Sequence, residues 1–183
     1  MAVTDKSVYL DSGSGNYLNL FNDGKIAMLW TGPWDLSSIN DDVDYGVQVL
    51  PGDTSHASIS GPDSWMIFDN GAQKVATAKA FVQFMLSPEE HLKFAIATGD
   101  LPVRESETKA PGYAEYLKKY PGGKVFVDNQ ANVTQVRPNI TAYPEISAAI
   151  GQAVQAVMAG KAQPADALKT AADTTDGLLA GSQ

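Results

Sequence analysis

A chain of 183 residues, 44% of them hydrophobic, is long enough to bury a core of ordinary domain size. Its formal net charge of −8, with no basic run longer than Lys118-Lys119, excludes nucleic-acid binding, which needs a basic face to meet the phosphates. Zero cysteines exclude a disulfide framework and thiolate metal sites, and no stretch has the length and apolarity of a membrane span.

Met1 to Lys6 lacks the apolar segment of an export signal. Tyr17, Leu18 and Phe21 open an apolar helix face, Asp23-Gly24 is a turn dipeptide, and Ile26 to Trp30 is an apolar run of strand length. Gly32 then lets the backbone turn, and Pro33 suits the first position of a helix because its missing N–H has no intrahelical partner there. The free N–H groups of that turn and the indole of Trp34 are expected to point into one space at the carboxyl end of a strand, where ligands of open α/β sheets collect. Such a place suits a flat, polar ligand.

Tyr45 to Leu50 and Ser64 to Phe68 are the next strand candidates. Val75, Ala78, Val82, Met85 and Leu86 form a helix stripe. Ser87-Pro88-Glu89-Glu90 stops that helix and starts another, with a cap, a first-turn proline and a Glu at the capping-box position. Pro111-Gly112 and Pro121-Gly122-Gly123 punctuate a region of short helices, one ending near Lys118-Lys119. Ile146, Ile150, Val154, Val157 and Met158 make a last long stripe that stops at Gly160, and a final helix runs from Pro164 through Ala167, Leu168, Ala171 and Leu178. The whole reads as an α/β fold with a helical tail.

Catalytic motifs are missing: there is no G-x-S-x-G, H-E-x-x-H, P-loop or G-x-G-x-x-G. His56, in a loop, and His91, expected on a solvated helix surface, have no metal-ligand spacing. Asp41-Asp42 and Glu89-Glu90 are adjacent surface acids, not carboxylates facing each other across a sugar cleft. No enzyme, metal centre or cofactor is expected.

The run Phe21, Gly24, Lys25, Ala27, Met28, followed by Gly32-Pro33-Trp34, resembles the F-x-x-G-K-x-A-M and G-P-W signatures of the maltose-binding-protein-like, family 1 sugar-binding proteins of bacterial ABC importers. The resemblance continues in order through Tyr45-Gly46-Val47 to Leu50-Pro51, Ser60-Gly61 with Trp65, and Ala80-Phe81 to Leu86-Ser87-Pro88-Glu89. Thr98 to Arg104, Arg137-Pro138 and a closing helix pair complete it. What it resembles is the carboxyl-terminal, helix-rich half of a two-lobe periplasmic-binding-protein-like fold, with ligand held in the cleft between lobes. That implies residues 1–58 in the second lobe, 59–134 in the first and 135–183 back in the second, with hinge strands near Ala57 to Gly61 and Val133 to Pro138. Where the helix of maltose-binding protein carries a stacking tryptophan, Ser147 or a neighbour stands here, so a maltose-type specificity is not implied.

Sugar recognition needs aromatic faces for the C–H surface of a pyranose and carboxylates, amides or Arg forks for its hydroxyls. The ligand-binding candidates are therefore Trp34, Trp65, Asp63, Gly61, Arg104, Arg137, Tyr143 and Ser14. Five of them have a structural alternative: core packing for Trp34, an Asx turn for Asp63, a hinge contact for Arg104, a helix-start staple for Tyr143 and a plain N-cap for Ser14.

The resemblance implies a carbohydrate-binding component of an ABC importer, extracytoplasmic (periplasmic or lipid-anchored), whose export signal lies upstream of this chain. Its partners would be an oligosaccharide and a membrane permease. The alternatives are a stand-alone α/β carbohydrate-interaction or scaffold module and, third, a glycoside-processing enzyme. As part of a longer protein, the chain is expected to self-associate or to pair with the amino-terminal half.

Overall fold

The computed structural model describes residues 5–9, 15–61 and 63–181. It is helix-rich, with one small parallel sheet, as an α/β portion of a periplasmic-binding-protein fold requires. The chain forms two compact units, one of residues 18–137 and the other of residues 138–183 with the first 17.

In the first unit, helix α1 (Tyr17–Asn22) closes with Gly24 in the left-handed region at φ 66°, its N–H donating to Phe21 O at 2.9 Å, as the Asp23-Gly24 turn predicts. Asn22 then ties this helix end to the next element, donating from Nδ2 to Ser38 O at 3.1 Å and accepting the Asn40 N–H on Oδ1 at 3.2 Å. That element is a 3-10 turn, Pro33–Ser38.

Helix α2 (Ala72–Met85) half-buries Val75, Ala78, Val82 and Met85, the predicted stripe. Ser87 occupies the N-cap of α3 (Pro88–Thr98) with extended backbone and Pro88 follows in the first turn, but its hydroxyl does not cap. It donates back to Phe84 O at 2.7 Å, closing α2 instead. Helix α3 ends at Gly99, φ 88°, whose N–H donates to Ala95 O at 2.9 Å. Short helices α4 (Tyr113–Lys119) and α5 (Gly123–Asn129) follow the two Pro-Gly signals.

Leu36, Leu92, Ala95, Tyr116 and Tyr120 make the core, with Tyr45, Val47, Ile96 and Phe126 among the residues packed on it. Tyr116 stacks on Tyr113 at 5.9 Å and meets Tyr120 edge-on at 5.5 Å, while Tyr120 donates its hydroxyl to Ile96 O at 3.0 Å. Burial pushes the Tyr116 phenol far above its ordinary value, so it packs as a neutral ring.

The strand expectations need correction. Among the described residues the only ladder joins β1 (Ser58–Ser60) to β2 (Val133–Val136) in parallel, with Ser58 opposite Val133, Ser60 opposite Val136, and an irregularity between Ser58 and Ile59. Ile26 to Trp30, Tyr45 to Leu50 and Ser64 to Phe68 join no sheet. The periodicity itself is present: Val43, Tyr45, Val47 and Val49 are half-buried and alternate with exposed Asp44, Gly46, Gln48 and Leu50. A strand also needs a neighbour to accept its backbone hydrogen bonds, and no described segment pairs with these three in a ladder.

In the second unit, α6 (Tyr143–Met158) and α7 (Pro164–Gly181) form a helical hairpin. Gly160, φ 70°, ends α6 with paired reverse bonds, Gly160 N to Val157 O at 3.0 Å and Lys161 N to Ala156 O at 2.8 Å. The buried residues are Ala153, Ala167 and Ala171, with Val157 and Ala162 against them. The predicted stripe is therefore rotated: Ile150 and Val154 are each 48% exposed, and Leu168 faces out as well. Small side chains permit a closer helix approach than branched ones, so alanines take the contact.

Candidate functional site

The Pro33–Ser38 turn is held from three sides. Asn22 grips its end, Leu36 is anchored in the core, and Gly99 packs beneath it, where an added Cβ would lie 2.9 Å from Pro33 O and 3.1 Å from Ser37 N. Gly32, expected to be a backbone turn, is extended at φ −122° and ψ −177°, which any residue adopts. Glycine there lets the indole fold over the backbone: a Cβ would sit 2.2 Å from Cζ3 of the Trp34 ring, so a side chain would displace the ring. The indole lies over Gly32 and stays 59% exposed.

A 3-10 turn eclipses residues three apart. Gly32 and Asp35, three apart, fall on one side, and with Leu36, Ile39, Thr31, Leu29, Phe21, Tyr45, Gly46, Val47 and Phe126 they line a solvent-open concavity of about 70 Å³. Trp34 is not part of this lining, so the turn and the indole do not address one space as expected. Asp35 takes the inward place. It is 8% exposed, and its Oδ2 accepts a hydrogen bond from the Thr31 hydroxyl. Burial, and secondarily Tyr120, raise the Tyr45 phenol above its ordinary value, so its hydroxyl remains a neutral donor. The sequence reading missed Asp35; the signal was an acid inside the turn at the spacing that faces back toward Thr31.

A second locus joins two predicted residues. β1 and β2 bring Gly61 beside Arg137: the Arg137 N–H donates to Ser60 O at 3.2 Å, and a Cβ on Gly61 would lie 2.3 Å from the guanidinium Nε. Arg137 remains exposed. Trp65, 52% exposed, meets Phe81 of α2 edge-on at 5.7 Å. Asp63 and Arg104 are exposed, and neither lines the concavity. Tyr143 is half-buried at the start of α6 in the other unit, and its N–H donates to Ile140 O at 3.1 Å. Ser14 lies outside the described residues.

His91 corrects its expectation outright. It is buried at 8% exposure, and its Nδ1 lies 2.8 Å from Oε2 of a fully buried Glu107, whose Oε1 has no hydrogen-bond partner. The pair pins the segment that carries Arg104 onto α3. Glu-Ser-Glu-Thr-Lys at 105–109 reads as a solvated loop, and only its tertiary partner reveals otherwise. Among the described residues no group of three His, Asp or Glu side chains could hold a metal ion, and no helix is long and apolar enough to cross a membrane.

A family profile described as bacterial extracellular solute-binding protein matches residues 2–122. A binding protein of Brucella abortus is 29% identical over 166 residues, covering 88% of this chain and 39% of the relative. The galactooligosaccharide-binding protein of Bacillus subtilis is 26% identical over 165 residues, 88% of this chain and 38% of its own length. The sn-glycerol-3-phosphate-binding periplasmic protein of Pectobacterium atrosepticum is 23% identical over 171 residues, covering 87% and 38%. The chain thus spans about two fifths of the length of these relatives, in keeping with the expectation of a portion of a longer protein.

Proposed function

The chain belongs to the bacterial extracellular solute-binding protein family, a family of binders rather than enzymes, and from that premise we propose that it is part of the oligosaccharide-binding component of an ABC importer. The observation that carries this reading is the likeness along 88% of the chain to a protein named for binding galactooligosaccharides. A second relative is named for sn-glycerol 3-phosphate, so a phosphorylated polyol is the competing ligand. The exposed aromatic rings of Trp34 and Trp65 suit sugar faces, and Gly61, Asp63, Arg104, Arg137, Tyr143 and Ser14 are the proposed polar and backbone contacts. The parent would hold residues 1–58 and 135–183 in one lobe and 59–134 in the other. β1 and β2 lie near the two proposed crossings and favour a paired hinge. Closure around the sugar would give a shape that the permease distinguishes from the open one.

All three tryptophans, Trp30, Trp34 and Trp65, lie in the unit of residues 18–137, so indole fluorescence reports on that unit alone. In the longer parent protein, neutral oligosaccharides should change tryptophan emission saturably, and Trp34→Ala should weaken binding by about 1–3 kcal/mol, as for a single interface aromatic. The chain alone, with part of the cleft, should bind weakly. A saccharide panel that leaves the emission unchanged would sink the sugar reading.

On the same reading the chain alone should self-associate, or pair with the amino-terminal half of the longer protein. Met28, Trp30, Met66 and Phe68 are 76–88% exposed on segments without ladder partners. Size-exclusion chromatography with light scattering should report a dimer or larger species. A dilution-stable monomer of 19.4 kDa would refute this.

A further inference from the structure

The concavity beside the Pro33–Ser38 turn carries more information than its shape. Its one acid, Asp35, is more than nine-tenths buried, and the Thr31 hydroxyl is the one hydrogen-bond partner of its carboxylate among the described residues. A carboxylate accepts about four hydrogen bonds, so most of its capacity is unspent, and neither of its oxygens is both sealed from solvent and unpaired, which leaves that capacity open to a ligand. Phe21, Tyr45 and Phe126 offer rings around it, and none of the described lining residues is Lys or Arg.

We propose that Asp35 is the polar anchor of a subsite for a neutral, hydroxyl-bearing ligand, its carboxylate accepting from a pair of sugar hydroxyls while the surrounding rings cover the C–H face. This rests on the sugar-binding reading above and narrows it. An acceptor-only group demands donors from the ligand, which hydroxyls supply. A phosphate ester brings negative charge and no compensating cation waits in the lining, so the same subsite rejects it.

The test is amide NMR titration of the whole chain with a neutral galactosyl disaccharide and, separately, with sn-glycerol 3-phosphate, for the parent sequence and Asp35→Asn. Asn keeps an acceptor for Thr31, and its ligand-free spectrum verifies the fold. The disaccharide should shift Gly32, Asp35 and Gly46, with affinity falling about tenfold or more in Asp35→Asn. The ester should leave those amides unmoved. Sugar shifts confined to other residues, with Asp35→Asn binding as well as the parent, would overturn the subsite while leaving the sugar reading intact. An ester that perturbs the same amides as strongly as the sugar would overturn the neutral-ligand assignment. If no neutral saccharide of the panel shifts any amide, the sugar reading itself fails and the subsite with it.

Discussion

Replacing His91 by alanine should lower the stability of the 18–137 unit by about 3–5 kcal/mol, because it strands the fully buried Glu107 carboxylate without a partner. Oε1 of Glu107 already lacks a hydrogen bond, so His91→Ala leaves both oxygens unsatisfied away from water. Domains of this kind are stable by only about 5–15 kcal/mol, which makes the loss a large fraction of the whole. A His91→Leu, Glu107→Met pair separates causes. If the stranded charge is the cost, the double replacement should be close to neutral, since apolar residues of similar volume commonly match or exceed a buried ion pair. Urea unfolding followed by tryptophan emission measures both. A single mutant within about 1 kcal/mol of the parent, or a double mutant as unstable as the single, would show that the pair does not hold the Arg104 segment in this way.

Gly99→Ala should be the second large loss, about 2–5 kcal/mol, from two separable terms. At φ 88° an L-residue costs about 1–2 kcal/mol. The added Cβ also meets the Pro33 carbonyl at 2.9 Å, backbone that can move only by shifting the turn that carries Asp35, an overpacking cost of about 1–3 kcal/mol. Gly24 is the better control for the first term: it ends α1 in the left-handed region at φ 66°, and a Cβ there meets nothing within 4 Å. Gly24→Ala should therefore cost only the conformational part, and the difference between the two variants in parallel melts reads the packing against Pro33. Equal losses would mean that the turn yields freely.

Local signals were the legible part of this fold. Gly24 and Gly160 sit at positive φ where the turn and helix-stop chemistry puts them, and the Val75 to Met85 stripe is the half-buried face of α2. What the sequence did not disclose depends on partners distant along the chain. His91 looks solvated until Glu107 arrives from 16 residues away, and the α6 stripe looks like Ile150 and Val154 until α7 requires the alanine side instead. Strand-like alternation at 43–50 states which residues turn inward, yet cannot supply the neighbouring strand that would make it a sheet. At the candidate site the G-P-W run borders a concave surface. Its 3-10 geometry, which a periodicity of 3.6 does not anticipate, faced Asp35 rather than Trp34 toward it.

The exposed segment Ser64 to Phe68 bears on how this polypeptide behaves at high concentration. Ser64 to Phe68 form an uncharged, β-prone window at the short end of aggregation-prone lengths, and it is bracketed by Asp63 and Asp69. Those two acids act as gatekeepers: stacking copies in register would set identical carboxylates on top of one another along a fibril axis. Asp69 has a further duty, accepting the Gly71 N–H at 3.1 Å just before α2 begins, so removing it would cost a helix-start contact as well as a gatekeeper charge.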